Sequence, residues 1–212
     1  MKIERIEAFS DGVFAILITI LVMKFNVPSC QAGSLKTAIS QQWPEFVAYL
    51  MTFSYIGILW LFHNDLFKDI KQTDARVNIL NLLSLFITTL LSYSMSLLAA
   101  SLVSMNLDDL RFSIIFYASL GLGISLSYYL LYMYLSKNTY LLKSSESSSQ
   151  FRTKQRYPLL SILVYSAAII TAVFSIKLAL IFLLIGITFH YVAYWKVEKR
   201  KKPVKHTQRT SL

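Results

Sequence analysis

Charge is the first thing this chain is short of. Asp, Glu, Lys and Arg make up 15% of its 212 residues, against about a quarter in a soluble domain. Hydrophobic residues make up 55% and the mean hydropathy is +0.53, so too little polar surface remains to cover a water-exposed globule. Turn residues are scarce as well: six glycines and four prolines are too few for the many strand connections of a β-barrel. One cysteine, Cys30, excludes an intramolecular disulfide, and no Cys/His cluster shows metal-ligand spacing. No cofactor or metal is therefore expected. A basic face on a soluble fold is also missing, so the net charge of +10 does not point to nucleic acid.

What is present is a series of apolar blocks. A helix that crosses a bilayer needs about 20 mostly apolar residues, and six blocks serve: 6–26, 43–63, 77–103, 110–135, 157–175 and 178–195. The first is roughly 31 Å long at the helical rise. Pro28 closes it, because the residue before a proline is pushed out of helical geometry. A polar loop follows, and Pro44 suits the first turn of the second block. Asn106, Asp108 and Asp109 close the third, and Gly121 and Gly123 in the fourth allow close helix approach. The serine-rich segment 136–156 reads as a flexible loop. Blocks five and six are short and joined at Lys177, which predicts an antiparallel hairpin. Val27, Pro28, Ser29 and Cys30 imitate a lipoprotein cleavage site, but Glu4, Glu7 and Asp11 are foreign to a signal peptide. A retained first helix is expected.

The fold class expected is an all-α membrane protein with six transmembrane helices, residues 1–196 forming the membrane domain and 197–212 a basic tail. With the N-terminus inside, 17 of the 21 Lys and Arg residues fall in the N-terminus, the 65–76 and 136–156 segments and residues 196–212. That excess places both termini in the cytoplasm. Trp43, Tyr191, Tyr194 and Trp195 sit where interfacial anchors belong. The charges of the tail suit a simple positive-inside anchor or anionic lipid heads.

The first helix carries the informative residues: Arg5, then Phe9, Ser10, Asp11 and Gly12 ahead of an apolar run. A charged residue at the mouth of an apolar span needs a partner or a purpose. At about 100° per residue, Ile16, Thr19, Ile20 and Met23 share an arc of about 80–100°, and Asp11 points about 140° away from Ile16. Such a stripe serves either packing or lining. Asp11 serves either as a helix-start charge or as a partner between helices. Trp60, His63, Asn64 and Asp65 end the second block, while Arg76, Asn78 and Asn81 open the third. If those blocks fold back on each other, their polar groups meet at the depth of Arg5, Ser10 and Asp11. A structural network there would set the position of the first helix, and His63 would be its proton-sensitive member.

Arg5-x3-Phe9-Ser10-Asp11-Gly12, opening the first span of a short six-span chain, resembles the signature of the transmembrane protein 175 family of endosomal and lysosomal potassium channels and their prokaryotic relatives. Trp60-x2-His63 and Arg76-x-Asn78 resemble it further, while Asn64 stands where the family pattern leads one to expect a second histidine. The resemblance implies a homotetramer whose first helices line a central pore, with potassium ions as the permeant species. It implies a constriction at Ile16, five positions after the signature aspartate, continued by Thr19, Ile20 and Met23, with Asp11 packed between helices. The family lacks the re-entrant selectivity loop of ordinary potassium channels, and no Thr-Val-Gly-Tyr-Gly segment occurs here. A ring of isoleucines would work by dewetting: narrow, it excludes water and ions; widened, it conducts. Some family members also pass protons. The implied setting is a prokaryotic plasma membrane, with the lipid bilayer and further copies of the chain as partners and no enzymatic activity.

Two other readings compete. A proton-coupled secondary transporter would want ionisable residues at mid-span or paired broken helices in two related halves, and neither is visible. A membrane enzyme would have only His63, Asp65 and His190 to work with, and His190 is expected at a hydrated helix end. A non-conducting membrane scaffold is the remaining alternative.

Overall fold

The structure is a computed structural model that describes residues 3–201, so 202–212 of the expected tail lie outside it. The described chain is helical: α1 (Ile3–Val22), α2 (Leu35–Gln41), α3 (Trp43–Phe67), α4 (Ala75–Thr89), α5 (Leu91–Ser104), α6 (Leu107–Lys137), α7 (Ser145–Lys154), α8 (Arg156–Phe174) and α9 (Ile176–Lys201). Helix starts follow their side chains. Asp74 opens α4 by accepting from the Val77 N–H at 2.9 Å, and Asn106 opens α6 by accepting from the N–H groups of Asp108 and Asp109 at 2.9 and 3.1 Å.

Among the described residues, five segments are long and apolar enough to cross a membrane: Trp43–Phe67, Ala75–Ser104, Leu107–Lys137, Ser149–Phe174 and Ile176–Lys196. The first expected span, α1, is not among them. It has Glu4, Arg5, Glu7 and Asp11 in its first half. The third expected block forms as α4 and α5 with a tighter turn between them, where the Leu90 N–H donates to the Ile87 carbonyl at 3.2 Å. At this turn Thr88 donates to the Ser84 carbonyl and Thr89 to the Phe86 carbonyl, both at 2.7 Å, competing with the helix's own bonds.

The central element is α6, which packs against α4, α5, α7, α8 and α9, while α3 lies between α1, α5 and α9. The α8–α9 hairpin forms as expected, turning at Ser175 rather than at Lys177. Tyr165 of α8 is wedged between α6 and α9 because both offer a glycine. A Cβ at Gly121 would lie 2.7 Å from its ring, and one at Gly186 3.2 Å. Gly123 meets only an ordinary contact with Ile87 at 3.4 Å.

Two loop expectations are corrected. Residues 35–41 of the polar loop form α2, and the serine-rich segment holds a short 3-10 turn (Thr139–Leu141) followed by α7. Local composition reads the second as flexible, yet long-range bonds organise it. The Lys71 N–H donates to the Leu141 carbonyl at 2.8 Å, and the Lys143 N–H to the Asp69 carbonyl at 3.1 Å. Phe151 of α7 is fully buried against Tyr132, with ring centroids 5.7 Å apart. His190 is also not at a hydrated end: it is 8% exposed, among the rings of Tyr55, Phe62 and Tyr165, with Nε2 3.2 Å from the Ser161 hydroxyl.

Candidate functional site

Helix α1 has two unlike faces. Ile6, Ser10, Phe14, Leu17 and Leu21, spaced four, four, three and four apart, are buried, as one helical face should be. They meet α3, α4 and α5. On the other side Ala8, Phe9, Gly12, Ala15, Ile16 and Thr19 are exposed, Ile16 by 59%. A Cβ at Gly12 would meet nothing within 4 Å among the described residues, so the chain's own packing there does not require a glycine.

The four residues expected on one stripe are therefore placed unequally. Ile16 and Thr19 lie on the uncovered face, and Ile20 is half-buried at its edge. Met23 lies in the turn beyond the end of α1, 77% exposed, its N–H donating to the Ile20 carbonyl at 3.1 Å. The Thr19 hydroxyl donates to the Ile16 carbonyl at 2.8 Å, which leaves its oxygen lone pairs as acceptors.

Behind the uncovered face, the polar residues of three helices connect. The Asn81 amide donates to the Ser10 hydroxyl at 3.1 Å, and its carbonyl oxygen lies 2.9 Å from His63 Nε2. Because the amide N–H is spent on Ser10, the oxygen must accept, which puts a proton on His63 Nε2. His63 is 2% exposed, stacks on Phe67 with centroids 4.4 Å apart and meets the Phe14 ring edge-on at 5.5 Å. Beside this chain the Trp60 indole N–H donates to the Asp11 carboxylate at 2.9 Å. Ser10 and Asp11 of α1 are thus tied to α4 and α3, and leaving any of the buried members unpaired would cost about 1–3 kcal/mol.

The other expected members stand outside these bonds. Arg5 is exposed at the start of α1, and Asn64 is half-buried on α3 without joining the chain. Arg76 lies over the Tyr134 ring at 5.8 Å, and the buried Asn78 Oδ1 has no hydrogen-bond partner among the described residues. Arg76 belongs instead to a second cluster around Asp74, whose carboxylate accepts from the hydroxyls of Tyr134 and Tyr140 at 2.5 and 3.2 Å. Burial pushes the Asp74 carboxyl up, but those hydroxyls and the N–H groups of Val77 and Arg76 together hold it below the usual carboxylate range.

Sequence reasoning missed one further charged group. Lys154 of α7 is 8% exposed, its ammonium 2.8 Å from Asp65 and 3.4 Å from Asp69. Its one local signal is Phe151, three residues earlier on the same helical face.

Apolar helices of membrane-crossing length, with a polar network joining two of them to α1, define a multi-pass helical membrane protein. Residues 5–91, which hold α1, α3, α4 and the whole network, match the family described as endosomal/lysosomal potassium channel TMEM175. A potassium channel of Streptomyces collinus is 33% identical over 138 residues, which cover 65% of this chain and 66% of that one. The mouse endosomal/lysosomal proton channel TMEM175 is 38% identical over 130 residues, 55% of this chain and 26% of the mouse protein. The chain therefore spans just under two thirds of the first relative and about a quarter of the second. Among solved structures, the crystal structure of a lysosomal potassium-selective channel TMEM175 homolog from Chamaesiphon minutus superposes with a TM-score of 0.70 at 26% identity, covering 90% of this chain and 97% of that one. The chain is thus similar to the TMEM175 family in sequence over residues 5–91 and to a solved member of it in fold over nine tenths of its length.

Proposed function

We propose that the chain is one subunit of a homotetrameric potassium-selective channel of a prokaryotic plasma membrane, with six spans and both termini in the cytoplasm. The observation that carries the reading is the uncovered face of α1, held in place from behind by Ser10 and Asp11. The relatives named as potassium channels support the permeant ion. Four copies brought together on that face would surround an axis with Ile16, making a short apolar neck that gates by dewetting. Thr19 would follow outward, its lone pairs turned to the ion because its proton is held by the Ile16 carbonyl. Ile20 would stand behind the wall and Met23 at the outer mouth. The network of Ser10, Asp11, Trp60, His63 and Asn81 would hold α1, and so the neck, in register. Arg5, Phe9 and Gly12 would face the neighbouring copies. Asn64, Arg76 and Asn78 would brace the cytoplasmic ends of α3 and α4. The proton-channel name of the mouse relative makes proton flux a second quantity to record in the same liposomes.

The test is potassium and sodium flux from proteoliposomes for the wild type and Ile16→Asn. Wild type passes potassium faster than sodium, and the substitution raises flux or narrows that difference because a polar ring stays wet. A conducting wild type that Ile16→Asn leaves unchanged would move the neck off Ile16. Silent liposomes beside a working control channel would remove the channel reading.

A further inference from the structure

The buried Lys154 pair belongs to neither the α1 face nor the network behind it. An ammonium 9% exposed in its side chain, set between carboxylates that are 6% and 28% exposed, is a costly arrangement unless each charge is matched. It joins elements 89 residues apart, and it is one of several ties between the α3–α4 and α6–α8 connections. The Lys143 ammonium donates to the Lys68 carbonyl at 2.7 Å, and Ile70 and Leu142 are buried opposite each other in a single antiparallel bridge. Together they form a brace across the basic end of the bundle.

The brace grips α3 opposite to the network. Asp65 follows His63 by two residues, so the two side chains point about 200° apart around the helix. The last turns of α3 are therefore held on one face by Lys154 and on the other by α1 and α4, through Trp60 and His63. Beside the ion pair lies a cavity of about 30 Å³ of space open to water-molecule centres, lined among others by Phe62, Asp65, Tyr128, Lys154 and His190. That is room for about two waters.

We propose that Lys154 is a positioning residue for conduction: its ion pair with Asp65 fixes the end of α3, and α3 transmits that position through Trp60–Asp11 and His63–Asn81–Ser10 to the uncovered face of α1. This rests on the channel reading above.

The experiment compares wild type, Lys154→Arg, Lys154→Met and the double variant Asp65→Asn with Lys154→Met. Potassium flux and backbone hydrogen exchange of α1 and α7 are read on each, in tetramers matched by mass. Lys154→Met alone strips the neutralising ammonium from Asp65 and is expected to be poorly stable. The double variant removes both charges and folds. It loses at least about fivefold in flux, the lower size of a typical coupling, and α1 exchanges faster together with α7. Lys154→Arg keeps the charge and conducts like wild type. A double variant with wild-type flux and altered exchange confined to α7 would overturn the proposal, leaving the pair a local fastening. If wild type itself is silent the channel reading fails, and the α1 exchange alone then decides the link from Lys154 to α1.

Discussion

Asp74 collects more hydrogen bonds than a helix cap requires, from the Val77 N–H, Tyr134 and Tyr140. Its carboxyl is held below the usual range, so the folded state binds a proton less readily than the unfolded chain does. The stabilisation is fully present above the unfolded value of about 3.9 and is lost as pH falls through the lower folded value. Thermal stability in detergent is therefore expected to drop below about pH 4. In Asp74→Asn that acid-side loss shrinks, and stability at pH 7 is already lower than in wild type. Parallel acid limbs for the two proteins would take Asp74 out of the account. The alternation of α1 was legible at this scale: Asp11 lies away from Ile16 on the wheel, as the sequence predicts, and it meets Trp60. The partners of Arg76 were not, because Tyr134 and Asp74 are 60 residues apart and no spacing rule connects them.

Of the approaches to glycines in the described bundle, that of Tyr165 between Gly121 and Gly186 is the tightest. Gly121→Ala puts a methyl 2.7 Å from the Tyr165 ring, which Gly186 prevents from retreating. A loss of about 1–3 kcal/mol in unfolding free energy is expected, with part of it recovered when Tyr165→Leu is added. An unchanged melting temperature for Gly121→Ala would show that α6 and α8 part without penalty. Long apolar elements of this kind were readable from hydropathy, including the α8–α9 hairpin. The break within the third block was not, because a single tightened turn, with side-chain hydroxyls on α4's own carbonyls, leaves the hydropathy of 77–103 unaltered. Helix α7 was hidden for a related reason. Ser145, Ser147, Ser148 and Ser149 set its local composition, whereas its place is set by Phe151 and Lys154 reaching distant partners.

At the scale of the whole molecule, α1 is attached along one face and uncovered along the other. Gly12 stands in that uncovered face with open space before it, and under the proposed tetramer a glycine there would admit the close approach of a neighbouring copy. Gly12→Leu is expected to leave helix content unchanged and to lower the particle mass in detergent from that of a tetramer to that of a monomer. A Leu variant that stays tetrameric would place the contact between copies elsewhere.

The brace between Asp65 and Lys154 also imposes an order on the making of the protein. Asp65 leaves the ribosome 89 residues before the lysine that neutralises it. At about 5–20 residues per second, roughly 4–18 s pass before that lysine is made. A nascent chain stopped anywhere before residue 154 therefore carries Asp65 without the ammonium that neutralises it in the folded protein.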